Sequence, residues 1–166
     1  MSAKPLATYT FLDVHCRLTG PGGSVDIGSS AALAKEGITF ESIEDIDVMV
    51  IGAAGDAMHG LRGVKAARAV VRVLKTSPAN AQLSQLLSDQ RQSALFHGQN
   101  QISLANPITG DSYTCTGVAF ARVPTNTWAE DPSMIEWTFN VSYMDPKIGG
   151  GLASTIQSQI ASGGVA

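Results

Sequence analysis

The amino-acid sequence predicts a mainly β protein: an antiparallel β-sandwich or partly closed barrel with one flanking α-helix at about residues 78–91. Three observations carry this. Met134–Tyr143 alternates cleanly, with Ile135, Trp137, Phe139, Val141 and Tyr143 on one side and Met134, Glu136, Thr138, Asn140 and Ser142 on the other. Asn106–Asp111 is turn chemistry between two strand-like runs, Asn100–Ala105 and Ser112–Val123, and so marks a hairpin. Ser77-Pro78 is the clearest helix start, a capping hydroxyl followed by proline in the first helical position. Ala79, Leu83, Leu86 and Leu87 then fall on one helical face, and the pattern fades near Gln90–Ser93.

The remaining elements follow in order. Ala7–Leu18 reads as one long strand, with Thr10, Leu12, Val14, Cys16 and Leu18 on one face and Tyr9, Phe11, Asp13, His15 and Arg17 on the other. Gly20-Pro21-Gly22-Gly23 is a tight turn, and Ser24–Ile27 pairs back across it. Gly28–Gly37 is small and loop-like. Ile38–Ile43 and Ile46–Ile51 are β-rich, and Glu44-Asp45 between them suits the closing of a hairpin. Gly52–Gly63, with four glycines, reads as a loop that carries Met58 and His59. Val64–Lys75 returns to strand, and Pro124–Pro132 is a loop around Trp128. Residues 1–147 are expected to form a single domain. Residues 148–166 are a Gly-rich, uncharged arm, in which Leu152, Ile156 and Ile160 recur at every fourth position. That narrow stripe is too small to hold a helix alone in water and needs a surface to dock on.

Composition narrows the function. Of 166 residues, 44% are hydrophobic but only 15% charged, well below the roughly 25% usual for soluble domains. The formal net charge of −3 argues against a basic surface that grips nucleic acid through its phosphates. So few charges leave a lone domain poorly protected against association, and copies of the same chain are the simplest cover. No stretch has the run of apolar residues needed to span a membrane, and Met1–His15 lacks the apolar core of a secretory signal. Cytosolic assembly is the default expectation.

No catalytic, cofactor or metal motif emerges. There is no GxSxG elbow, P-loop, HExxH or GxGxxG after a strand. The glycine turn at residues 20–23 joins two strands, whereas a phosphate cradle needs a helix N-terminus. Cys16 and Cys115 sit among apolar neighbours and read as buried thiols. Asp13 and His15 could pair on one strand face, but no third group is placed to orient them. The carboxylates of Glu36, Glu41, Glu44, Asp45, Asp47 and Asp56 are spread over strands and their ends rather than packed into a ligating loop. A solvated acidic face fits them, and so does a surface that repels nucleic acid.

Taken together, certain segments resemble a known group. They are Lys4–Tyr9, Glu36–Thr39 with Glu44-Asp45, Ile51–His59, Val71–Asn80, His97–Asn100, Asn106–Asp111 and Glu136–Phe139. Lys75-Thr76-Ser77-Pro78, where strand passes into helix, is the most specific of them. In this order they are similar to the tail tube proteins of contractile-tailed bacteriophages, up to about Asp145; the arm after it matches nothing in the pattern. The resemblance implies hexameric rings stacked into a hollow tube inside a contractile sheath, as in the related tubes of type VI secretion. It implies self, sheath protein and tape-measure protein as partners, and DNA passing through the lumen without sequence-specific binding. It also implies a place in the virion after assembly in the host cytoplasm. A conduit for DNA should not bind it, so Glu41, Asp45 and Asp47 are lumen candidates, with Glu136, Thr138 and Asn140 as second choice. Lys4, Met58, His59, Leu152, Ile156 and Ile160 are candidates for contacts between rings. Two other readings remain open at this point: a tail terminator or baseplate adaptor that forms a single ring, and a small carbohydrate-binding or hydrolytic β-sandwich built around Trp128 and Trp137.

Overall fold

The computed structural model describes residues 8–149. Nine strands and one α-helix form there: β1 (His15–Gly20), β2 (Gly23–Asp26), β3 (Leu33–Ser42), β4 (Asp47–Ile51), β5 (Ala57–Leu61), β6 (Ala67–Leu74), α1 (Ala79–Gln92), β7 (Asn100–Asn106), β8 (Asp111–Phe120) and β9 (Met134–Lys147). Seven strands make one antiparallel sheet in the order β2-β1-β7-β8-β9-β6-β3, while β4 and β5 pair only with each other. Of the two layouts that the sequence allows, the structure forms the partly closed barrel, a single sheet curled into a half-barrel. Among the described residues no helix is long and apolar enough to cross a membrane.

The curl follows from side chains on the concave face. Ala67, Ala69, Val71 and Val73 of β6 lie opposite Val141, Phe139, Trp137 and Ile135 of β9, and all are buried. Phe139 in turn lies opposite Phe120 of β8, the rings tilted with centroids 4.7 Å apart. At the far edge, Phe40 of β3 reaches across to stack on Tyr113 of β8 at 4.9 Å. Strands separated by two others in the sheet therefore touch across the hollow. Phe11 and Val14 line the same apolar recess as that stacked pair.

Helix α1 closes one end of the curl. It starts where the sequence places it, within a residue. Ser77 Oγ accepts from Ala79 N–H at 3.2 Å and donates to the carbonyl of Ala31, which ties the helix start to the chain before β3. Ala79, Leu83 and Leu86 face the core as expected, whereas Leu87 is only partly buried. The buried face continues instead to Gln90, which the hydrophobic pattern does not mark. The Gln90 Oε1 accepts from Phe120 N–H at 2.9 Å and from Asn100 Nδ2 at 3.4 Å, and its Nε2 donates to the Phe120 carbonyl. One amide thus fastens the last turn of the helix to the end of β8 and the start of β7.

Several expectations are corrected. The long first strand is broken: Phe11–Asp13 is a 3-10 turn, because Thr10 Oγ1 caps Leu12 N–H at 3.3 Å and offers the backbone a local partner. Residues 28–37 are not all loop, since β3 begins at Leu33 and a bulge before Ile38 hides its alternation. The hairpin expected around Glu44-Asp45 does not form. Asp47–Ile51 pairs with Ala57–Leu61, which lies in the expected loop. Tyr143 does not continue the inward row and is 42% exposed. Gly117, at φ +62°, receives Ser142 against its backbone, and Ser142 Oγ donates to the Gly117 carbonyl at 2.9 Å. A Cβ on Gly117 would lie 2.8 Å from the Ser142 side chain. Beyond this point the inward positions become Cys115 and Met144, on both strands at once. β9 also runs on through Pro146 to Lys147, past the expected end.

Replacing Gln90 with Met keeps the bulk but orphans the Phe120 N–H and the Asn100 amide. We expect a loss of about 2–6 kcal/mol, at about 1–3 kcal/mol per unsatisfied buried group, read as a lowered urea midpoint at unchanged slope. A midpoint equal to that of the parent would show that the bridge adds nothing to stability.

Candidate functional site

With no motif to anchor a reaction, the informative surfaces are those that a lone subunit leaves exposed. The first is the β4–β5 hairpin. Its turn is closed by Gly52 N–H donating to the Asp56 carbonyl at 2.7 Å, with Gly55 at φ +92°, a conformation that favours glycine. Every residue of both strands is exposed. Asp47, Met49, Ile51, Ala57, His59 and Leu61 share one face; Val48, Val50, Met58 and Gly60 share the other. Leu61 is 89% exposed. His59 Nδ1 lies 3.0 Å from Asp47 Oδ2, and Arg62 lies 3.3 Å from Glu44 at the stem. An isolated two-stranded hairpin is marginal in water, and one with apolar residues on both faces is built to be covered.

The second surface is the convex face of the sheet. Strand register brings Glu41, Glu136, Thr138 and Asn140 onto it. Glu41 lies opposite Arg68, which lies opposite Asn140; Arg72 lies opposite Glu136, and Val70 opposite Thr138. Arg72 Nε is 3.3 Å from Glu136 Oε2, and its Nη1 donates to Thr39 Oγ1 at 3.1 Å. The carboxylates here are thus interleaved with guanidinium groups. Thr138 is only 2% exposed, because the chain leaving β8 runs beside it and Ala121 N–H donates to its carbonyl. Asp45 and Asp47 lie elsewhere, at the stem of the hairpin and in its first strand. The third surface is the pair of sheet edges, β2 and β3, each bonded on one side only among the described residues.

Met58 and His59 are in β5, on opposite faces of the hairpin. Lys4, Leu152, Ile156 and Ile160 lie outside the described residues. The sequence missed Arg68 and Arg72 as neighbours of the acidic candidates, since only the register between strands brings them together.

Groups with chemical potential fall elsewhere. Asp13 ends the 3-10 turn and His15 begins β1, so they do not share a strand. Burial pushes the Cys16 thiol up to about 12, with Cys115 and Asp26 nearby adding to the shift; burial alone pushes Cys115 up to about 11. Both thiols are protonated at neutral pH and pack as small apolar groups. No group of three His, Cys, Asp or Glu gathers as a metal site among the described residues. Trp137 is buried, with its Nε1 donating to Asn80 Oδ1 at 3.1 Å, while Trp128 stands exposed with Lys75 Nζ 3.9 Å from its ring centre.

The described fold is thus a curled half-barrel with two outer strands each paired on one side and an exposed hairpin. The family model described as bacteriophage PhiTE tail tube protein matches residues 6–149, and the chain belongs to that family. Among solved structures, the fold is similar to the tube-terminating cap of the anti-feeding prophage, at a TM-score of 0.52 and 10% identity over 90% of this chain and 96% of that one. It is similar also to the sheath/tube terminator of the PVC extracellular contractile injection system, at 0.52 and 9% identity over 89% of this chain and 99% of the other. A search of curated proteins by sequence gives no match.

Neither cysteine should react with a thiol reagent at pH 8 while the protein is folded, and both should react once it is unfolded in denaturant. At about three to four units below these raised values, the thiolate fraction is about one in a thousand or less. Rapid labelling of either thiol in the native state would contradict the burial described above.

Proposed function

We propose that this chain forms hexameric rings that stack into the inner tube of a contractile tail, the conduit through which DNA leaves the particle. The observation that carries the reading is the curled sheet with two unpaired edges. Joining β2 of one copy to β3 of the next would carry the sheet from copy to copy and remove the edges that otherwise invite aggregation. Such a contact uses different patches on each side and closes as a ring. The family membership supports it.

In this reading the hairpin, with Met58 and His59, makes contacts between rings, and Lys4 with the arm residues Leu152, Ile156 and Ile160 adds to them. The domain of residues 1–147 is the ring-forming unit and residues 148–166 are its arm. The convex polar face, with Glu41, Glu136 and Asn140, lines the lumen, while Thr138 lies beneath the chain that leaves β8; Asp45 and Asp47 extend the lining where the hairpin stem meets it. Balanced charge on that face suits a wall past which DNA slides without holding. Tail sheath protein would pack outside the tube, and tape-measure protein and then DNA would occupy the lumen. The particle is then part of a virion assembled in the host cytoplasm, and the role is structural rather than catalytic.

A second reading, a terminator that forms one ring, is favoured by a specific observation: two of the similar solved folds are a tube-terminating cap and a sheath/tube terminator. Electron microscopy of the purified protein at high concentration separates the two. Hollow tubes with the face of Glu41 and Asn140 toward the axis are the expected result. Rings that never stack would favour the terminator, and tubes with that face outward would remove the lumen assignment.

Val50 and Met58 lie opposite each other on one hairpin face. Changing both to Asp should leave the thermal midpoint within a few degrees, since neither touches the core, yet abolish assembly seen by sedimentation. Unchanged assembly would take the hairpin out of the contacts between copies.

A further inference from the structure

The hairpin and the helix leave opposite ends of the same strand. The chain between β3 and β6, which contains β4 and β5, departs at the Ser42–Ala67 end, where those two residues are paired. α1 and the segment after β8 both lie at the Leu74 end, where β6 stops opposite Met134. Eight residues of β6 separate the two ends, about 26 Å at a rise of about 3.3 Å per residue. A subunit built this way presents a projecting arm at one end and, at the other, a groove.

That groove runs along α1. One part, of about 390 Å³, is walled by Ala81, Ser84 and Leu87 of the helix and by Val123 and Pro124, with Trp137 beneath. It shares Ser84, Leu87 and Val123 with an adjoining part of about 440 Å³ that continues past Ser88 to Arg91. The groove is therefore apolar at one end and cationic at the other. Arg91 has no ion-pair partner among the described residues.

The tip of the hairpin has the complementary character. Gly52, Ala53, Ala54 and Gly55 carry nothing beyond a Cβ, so the turn is slender. Asp56 closes it and, like Arg91, lacks an ion-pair partner among the described residues. We infer that the hairpin tip of one subunit, Gly52–Asp56, seats in the groove beside α1 of a second copy, with the Asp56 carboxylate against the Arg91 guanidinium. This inference rests on the tube reading above and assigns the receiving surface, for which Leu87, Ser88, Arg91 and Val123 are the contact residues. Two different patches at opposite ends of one molecule make a head-to-tail contact, which propagates along an axis rather than closing on itself.

The experiment is a cysteine pair, Ala54→Cys with Ser88→Cys, in the full chain. Both positions are at the surface, and the native thiols are buried. Oxidation after assembly should give a ladder of disulfide-linked multimers on a non-reducing gel, and each single variant should give none. Asp56→Lys and Arg91→Glu should each raise the concentration needed for assembly about tenfold, and the two together should return it to within about twofold of the parent. Tubes that form normally without a ladder would overturn the groove assignment and leave the tube reading standing. Failure of the parent protein to form tubes would instead count against the tube reading itself. A ladder between Ser88→Cys and an arm position such as Ala153→Cys, with none from Ala54→Cys, would give the groove to the C-terminal arm and overturn the inference.

Discussion

The architecture depends on one constraint: a single open sheet must bury a whole apolar face without a second sheet to cover it. Curling meets that constraint. Valines and alanines on β6, aromatics on β8 and β9, and Phe40 on the far edge bring the concave face against itself. Small residues on β6 matter here, because Ala67 and Ala69 leave space for Phe139 and its neighbours across the bend. What the curl leaves open at one end, α1 fills. The convex face is then free to be polar, and among the described residues each outer strand is paired on one side only. The features that point to assembly are therefore by-products of the way the core is built.

The same constraint accounts for the sparse charge. A monomer with 15% charged residues has little to keep it apart from its neighbours. Here seven of the exposed apolar side chains lie together. Ile46, Val48, Met49, Val50, Ile51, Met58 and Leu61 gather on and beside one hairpin. Two polar contacts lie on the same hairpin and its stem, Asp47 with His59 and Glu44 with Arg62. Exposed pairs of this kind contribute little to stability.

The parts of the fold that were legible in the sequence are those in which one face is buried and the other wet. β9 shows the period of two directly as far as Val141, the β7–β8 hairpin is marked by its turn residues, and the start of α1 is written in Ser77-Pro78. The β4–β5 hairpin was read wrongly for the converse reason: both of its faces are exposed, so burial imposes no alternation, and Gly60 dilutes what strand signal β5 has. β3 was half hidden by its bulge, and the first strand was cut short by a hydroxyl cap that propensity does not register. Gln90 is polar where the helical pattern calls for an apolar residue, and only the approach of Phe120 and Asn100 explains it. At the polar face, parity alone placed Glu136, Thr138 and Asn140 together. The guanidinium neighbours could not be read, because register between β6 and β9 is a property of the whole sheet.

The change of parity at Gly117 and Ser142 shows how closely local geometry and surface character are linked. Without it, Tyr143 would continue the inward row set by Val141. With it, Tyr143 emerges beside Lys65, whose Nζ lies 4.8 Å from the ring centre and 3.4 Å from the phenol oxygen. Lys65 in turn accepts Met144 N–H at its carbonyl, which binds the chain after the hairpin to the outer stretch of β9. The stem of the hairpin is thus held on the sheet by backbone, while every residue of its two strands is exposed. An arm that is rigid at its root and uncovered along its length loses little further entropy when a partner covers it. A strict period of two through β9 would have turned Tyr143 inward and removed that contact with Lys65 at the root.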